Sequence, residues 1–72
     1  MKKSKRETRY TITLSNGEKI TATGSMFNDM SLAFSECAKR HISLGCEAIA
    51  KEYSNMSVEI YNYLESKGYY EE

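Results

Sequence analysis

The stretch "TLSNGEKI", residues 13–20, decides the fold. Asn16-Gly17 set between alternating apolar and polar residues is the strongest short-range mark of a β-hairpin. On one side Tyr10, Ile12 and Leu14 alternate with Thr11, Thr13 and Ser15; on the other Ile20 and Ala22 alternate with Lys19, Thr21 and Thr23. Such density of β-branched residues suits strands. Two registers compete. A two-residue loop, Asn16-Gly17, sets Leu14 opposite Lys19 and Ile12 opposite Thr21, which spoils the apolar face. A three-residue loop, Ser15-Asn16-Gly17, pairs Leu14 with Glu18, Ile12 with Ile20 and Tyr10 with Ala22, and places Gly17 at the left-handed position of a type I turn with a G1 bulge. Since a one-residue slip turns every side chain to the other face, the apolar pattern predicts the three-residue loop.

A lone hairpin is marginal in water, so the rest of the chain must cover it. Gly24-Ser25 ends the hairpin, and from Phe27 the spacing becomes helical. Phe27, Met30, Phe34, Cys37, His41 and Leu44 recur at threes and fours, with Ala33, Ala38 and Ile42 broadening the stripe. Asn28 or Ser25 can cap the start, Lys39, Arg40 and His41 suit the C-terminal dipole, and Gly45 is a natural stop. Cys46, Ile49, Tyr53, Met56, Ile60 and Tyr63 keep the same spacing and predict a second helix ending before Gly68. Ser54-Asn55 and Ser57-Val58 are poor helix formers, and Met56, Val58 and Ile60 alternate as a strand does. The second helix is therefore expected to be kinked or partly strand near 54–60. The expectation is an α+β domain: a hairpin (about 9–15 and 18–24), then helices at about 27–44 and 46–66. The hairpin's apolar face is expected on the first helix, with the second helix on the other side or on a second copy.

The 72 residues make one domain, read as a mobile basic arm (1–8), a body (9–68) and an acidic tail (69–72). A core this small rarely contributes more than about 3–5 kcal/mol, so such chains commonly add a disulfide, a metal or a partner. Only two cysteines occur, Cys37 and Cys46, and no apolar run follows the basic "MKKSKRETRY" start. Free thiols in a reducing, cytoplasmic setting are expected, with no membrane span. Net charge is zero, but residues 1–9 carry +4 and the remainder −4. A basic arm on an acidic body excludes a strong global field for nucleic acid while leaving a local one.

No catalytic constellation emerges. His41 follows Cys37 by four residues on one helix face, but nothing visible orients the pair or forms an oxyanion site. Cys37, His41 and Cys46 lack the paired short spacings and the fourth ligand of structural zinc. The four glycines are scattered, so no phosphate loop exists. The expectation is a protein without enzymatic activity, cofactor, metal or small-molecule ligand. Hairpin followed by helix, with "TLSNGEKITATG" as strands, resembles the second half of a double-stranded-RNA-binding domain. That family places lysines at the start of the next helix, whereas "SMFNDMS" with Asp29 stands here, and its function is not carried over.

Two sets of candidate binding residues remain. Lys2, Lys3, Lys5, Arg6 and Arg9 of the arm can grip phosphates, a chain segment ordering on nucleic acid. Of six tyrosines, five fall in the last twenty residues: Tyr53, Tyr61, Tyr63, Tyr69 and Tyr70. Tyr53 and Tyr63 join the apolar seam, whereas Tyr61 points away from it. Tyrosine supplies large contact area at low entropic cost and is enriched at interface hot spots. The leading expectation is a small protein-binding module, a homodimer, that modulates a partner protein, in the manner of an accessory or phage-encoded regulator or inhibitor. The alternative is nucleic-acid binding through the arm.

Overall fold

A computed structural model describes residues 4–71. Two strands, β1 (Arg9–Thr13) and β2 (Lys19–Thr23), form an antiparallel hairpin, followed by α1 (Gly24–Ser43) and α2 (Glu47–Ser66). The architecture is α+β, as the periodicities predict. The register is that of the three-residue loop: Ile12 faces Ile20 and Tyr10 faces Ala22. Leu14 N–H donates to Glu18 O at 2.8 Å, Gly17 N–H closes the turn on Leu14 O at 2.9 Å, and Gly17 takes φ +92°. Asn16 Oδ1 accepts from Glu18 N–H at 2.9 Å, an Asx bond that fixes the turn from inside. Replacing Gly17 by alanine is expected to cost about 1 kcal/mol, because the site is open to solvent and only the left-handed backbone opposes a Cβ. A urea melt measures it.

The junction into α1 departs from expectation. The helix starts directly at Gly24 rather than near Phe27, and its cap is neither Asn28 nor Ser25. Thr23, the last strand residue, keeps extended backbone and accepts from Met26 N–H through Oγ1 at 3.2 Å. One residue thus ends the strand and caps the helix. At its other end α1 closes with Gly45 at φ +79°, Gly45 N–H on Ile42 O and Cys46 N–H on His41 O, a Schellman arrangement. Gly68 repeats it for α2, with Gly68 N–H on Glu65 O and Tyr69 N–H on Leu64 O.

α2 is one helix from Glu47 to Ser66, and the strand alternative near 54–60 is not adopted. The weak helix formers there are absorbed by tertiary bonds. Ser57 Oγ donates to Ser31 O at 2.7 Å, and Ser31 Oγ donates back to Ser57 O at 3.0 Å. A serine that competes with helix backbone in isolation here joins two helices.

α1 and α2 pack antiparallel, and the hairpin lies across both rather than on α1 alone. The core joins Ile12, Leu14 and Ala22 of the hairpin segment to Phe27 of α1 and to Ile60 and Leu64 of α2. Tyr10, Ile20, Met30, Phe34, Met56, Tyr63 and Tyr69 pack round it. Five-residue strands reach about 17 Å and twenty-residue helices about 30 Å, so the hairpin covers only part of the helix pair. Stripe residues near the helix–helix turn, Ile42, Leu44 and Ile49, consequently stay exposed.

The hairpin tip is pinned separately. Glu59 on α2 accepts from Ser15 N–H at 2.8 Å and from Ser15 Oγ at 3.0 Å, one bond to each carboxylate oxygen. Glu59→Ala is expected to destabilise by about 1–2 kcal/mol, since bonds to a charged acceptor are stronger than neutral ones. Faster hydrogen exchange confined to residues 14–18 is the accompanying sign.

Candidate functional site

Members of the two sets that the sequence holds apart, Lys5 and Arg6 of the arm and Tyr69 and Tyr70 of the tail, meet at one end of the molecule. Residues 5–7 form a turn, with Glu7 N–H on Ser4 O at 3.0 Å. It is tied to α1 by Gly24 N–H on Thr8 O and Ser25 N–H on Arg6 O. Beyond Gly68 the chain turns back, so that Tyr69 packs on the core and Tyr70 lies over α1. A groove between these two segments is lined by Ser4, Lys5, Arg6, Asn28, Tyr69, Tyr70 and Glu71.

Lys5 explains part of this juxtaposition. Its ammonium donates to Gly68 O and, at 3.3 Å, to Glu71 O. The carbonyls just past the end of α2 thereby gain a cation, where the helix dipole favours one. Lys5 serves the fold, then, while Arg6 makes no ion pair among the described residues. Arg9 and Lys19 stand on the outer, polar face of the hairpin, beside Thr11 and Thr21, whose hydroxyls bond at 2.8 Å. Lys2 and Lys3 lie outside the described residues.

Tyrosines separate into three groups. Tyr63 meets Tyr10 edge-on at 6.0 Å, with Lys67 Nζ 5.5 Å from its ring, and belongs to the core rim. Tyr53, at the far end, packs on Phe34 at 5.8 Å and on His41 at 5.3 Å. Tyr61, Tyr69 and Tyr70 form a cluster: Tyr70 stacks on Tyr61 at 5.1 Å and meets Tyr69 edge-on at 5.0 Å. Tyr70 also donates its hydroxyl to Asn28 Oδ1 at 2.8 Å. Of the five candidates, these three share a surface. Tyr61 and Tyr70 remain 44% and 41% exposed, enough to offer ring faces to a partner. Two ring contacts, both made by Tyr70, and one hydrogen bond fix the rings in advance, which lowers the entropy lost on binding.

Burial raises the Tyr70 hydroxyl above its ordinary 10.0, with further upward pushes from charge at Tyr61, Tyr69 and Glu65. A folded value above the unfolded one gives a contribution complete below pH ~10 and lost as pH climbs through the folded value. The cluster is therefore expected to loosen on the alkaline side only. Phenolate absorbance checks this: Tyr70→Phe should remove the highest-pH part of the titration.

At the other end, His41 Nδ1 donates to Cys37 O at 2.8 Å, the main-chain carbonyl and not the thiol. Both cysteines are free and half-buried. No group of three metal-binding side chains occurs among the described residues, and no helix there is long and apolar enough to cross a membrane.

Sequence reasoning missed Asn28 as the tyrosine anchor, reading it as a helix cap, and missed Gly24 as the point where arm and tail close in. A planted Cβ at Gly24 would lie 2.5 Å from Lys5 O and 2.6 Å from Tyr69 Cε1. No local signal marks a contact spanning more than forty residues. In comparisons with known proteins, no family model, curated protein or solved structure matches this chain.

Proposed function

We propose that this chain is a small non-enzymatic protein-binding module that modulates the protein it captures, and that it captures through Tyr61, Tyr69 and Tyr70. The observation that supports this most is the preordered aromatic cluster at the groove, bordered by Arg6. Tyrosine and arginine are the side chains that concentrate binding energy at interface centres. Rings already stacked and tethered lose little freedom on docking, so each retains most of its contact energy.

Affinity capture from the source cell with wild-type and variant chains tests it. A genuine partner should be retained by wild type and weakened about 30-fold or more by Tyr70→Ala, the loss of a hot-spot side chain worth about 2 kcal/mol. Tyr70→Phe keeps the stack and loses the Asn28 bond, and should weaken capture by a smaller factor. Equal capture by Tyr61→Ala, Tyr70→Ala and wild type overturns the reading.

A second reading has one observation in its favour: Arg6 lines the same groove as the tyrosine rings, and arginine beside stacking aromatics is how single-stranded nucleic acid is held. An electrophoretic shift at low salt that weakens steeply with added salt, and that Arg6→Ala reduces, favours this reading over the first.

A further inference from the structure

The hairpin buries one face and offers the other to solvent. Tyr10, Ile12, Ile20 and Ala22 turn to the helices, while Arg9, Thr11, Thr13, Lys19 and Thr21 are exposed on the opposite face. Thr23 shares their register but is occupied in capping α1. No acidic side chain falls in that register between Arg9 and Thr23, since Glu18 stands opposite Leu14 among the core-facing positions. Among the described residues, neither Arg9 nor Lys19 takes part in an ion pair. The charge of the chain is divided in the same sense. Residues 4–23 hold four bases and two acids, whereas residues 24–71 hold four bases and seven acids. The hairpin layer is net basic and the helix pair net acidic, which turns the hairpin toward a polyanion.

We propose that this outer face of the hairpin binds duplex DNA in the major groove. That groove, about 12 Å wide, admits a two-stranded antiparallel ribbon. Lys19 is opposite Thr13, so it lies on the other strand and about 14 Å along the ribbon from Arg9. Two cations at opposite corners reach phosphates on the two walls of the groove, and Thr11, Thr13 and Thr21 between them meet base edges. Threonine hydroxyls bond to base-edge donors or acceptors, and their methyl groups pack on thymine methyls. The ribbon is also ordered before docking. Thr11 and Thr21 hold each other's hydroxyls at 2.8 Å, the inner face is fixed to the core, and Glu59 pins the tip. Other partners suit this face less well. Duplex RNA has a major groove too narrow for side chains, and single strands are held on aromatic platforms, which the face lacks. An acidic protein would find one arginine here and no aromatic anchor, and threonine is under-represented at interface hot spots. The face is separate from the tyrosine groove, and the proposal does not rest on the capture reading.

Fluorescence anisotropy of a labelled random-sequence DNA duplex, titrated with the full chain, reads the result. Saturable binding is expected, weakening at least tenfold between about 50 and 200 mM salt, as counterion release from two phosphate contacts requires. Arg9→Ala and Lys19→Ala should each reduce the slope of log affinity on log salt by about 0.9, and Arg9→Lys should keep it. Arg9→Glu combined with Lys19→Glu should abolish binding, with unchanged helical circular dichroism because both side chains are exposed. Lys51→Ala, on α2, and Tyr70→Ala should leave DNA affinity as it is. Absence of binding at the lower salt overturns the proposal, as does a salt slope indifferent to both Arg9→Ala and Lys19→Ala. Equal affinity for duplex RNA or for single strands also overturns it. Binding lost in Arg6→Ala and Tyr70→Ala but kept in Arg9→Ala belongs to the tyrosine groove and overturns it too. Protein capture is read through Tyr70→Ala and DNA binding through Arg9→Ala, so the two readings fail separately.

Discussion

Phe27→Ala is expected to leave most of the chain unfolded at room temperature. The ring is fully buried and sits where hairpin, α1 and α2 converge, against Ile12, Leu14, Ile60 and Leu64. Truncating a buried phenylalanine costs about 3–5 kcal/mol, transfer and cavity together. A domain of 72 residues has about 4–11 kcal/mol to lose at 0.05–0.15 kcal/mol per residue, and one with so few fully buried large side chains belongs at the low end. Little or nothing remains. Neither helix holds alone, because isolated helices of this length are marginal and the poor formers Ser54 to Val58 weaken α2 further. Loss should therefore be cooperative: helical circular dichroism, hairpin hydrogen-exchange protection and tyrosine ring dispersion disappear together. Ile60→Val, removing one methyl group at an equally buried site, should cost about 1 kcal/mol and leave the chain folded. If Phe27→Ala lowers the urea midpoint no more than Ile60→Val does, the core is not organised round Phe27.

What the sequence makes legible follows from the range over which each signal acts. The hairpin register could be read because it depends on residues at most fourteen apart and because only one slip aligns Tyr10, Ile12, Leu14, Ile20 and Ala22. The hairpin-facing helix stripes could be read because their residues are large and apolar. The seam between the helices could not, since it is built from Ser31, Ala38, Ala50 and Ser57, small residues whose value lies in letting two backbones approach. The stripe also over-reached, taking in Ile42 and Leu44, because spacing says which way a residue points and not how far the covering layer extends. Thr23 reads as a strand residue and not as a cap, since the two roles share one extended backbone. The helical spacing sets Tyr61 off the seam, yet its stacking on Tyr70 depends on a turn at Gly68 whose direction only the packed structure fixes.

Gly24→Ala carries the other large expected effect, and its sign turns on a contest between local and long-range terms. Gly24 opens α1 with an ordinary negative φ, so its backbone does not require glycine. By helix propensity alone alanine should help, by up to about 1 kcal/mol and by less in the first turn. Against this, the new methyl group would meet Lys5 O at 2.5 Å and Tyr69 Cε1 at 2.6 Å. Neither neighbour yields freely. The segment carrying the Lys5 carbonyl is held by Gly24 N–H on Thr8 O and Ser25 N–H on Arg6 O, while the Tyr69 ring is packed on the core and against Tyr70. Overpacking of this kind costs about 1–3 kcal/mol, which outweighs the propensity gain. The expected net loss is about 2 kcal/mol. Its distribution is as informative as its size. Relief is available by releasing the arm or swinging Tyr69 outward, and either opens the groove and unstacks Tyr70 from Tyr61, so partner capture should fall more than the urea midpoint explains. Gly45→Ala supplies the control: its φ of +79° strains any side chain by about 1–2 kcal/mol, nothing lies within 4 Å, and it sits at the opposite end of the helices. It should destabilise comparably and leave capture by the folded fraction untouched. A Gly24→Ala chain that melts later than wild type, as propensity alone requires, removes the close approach of arm, helix and tail on which the candidate site is built.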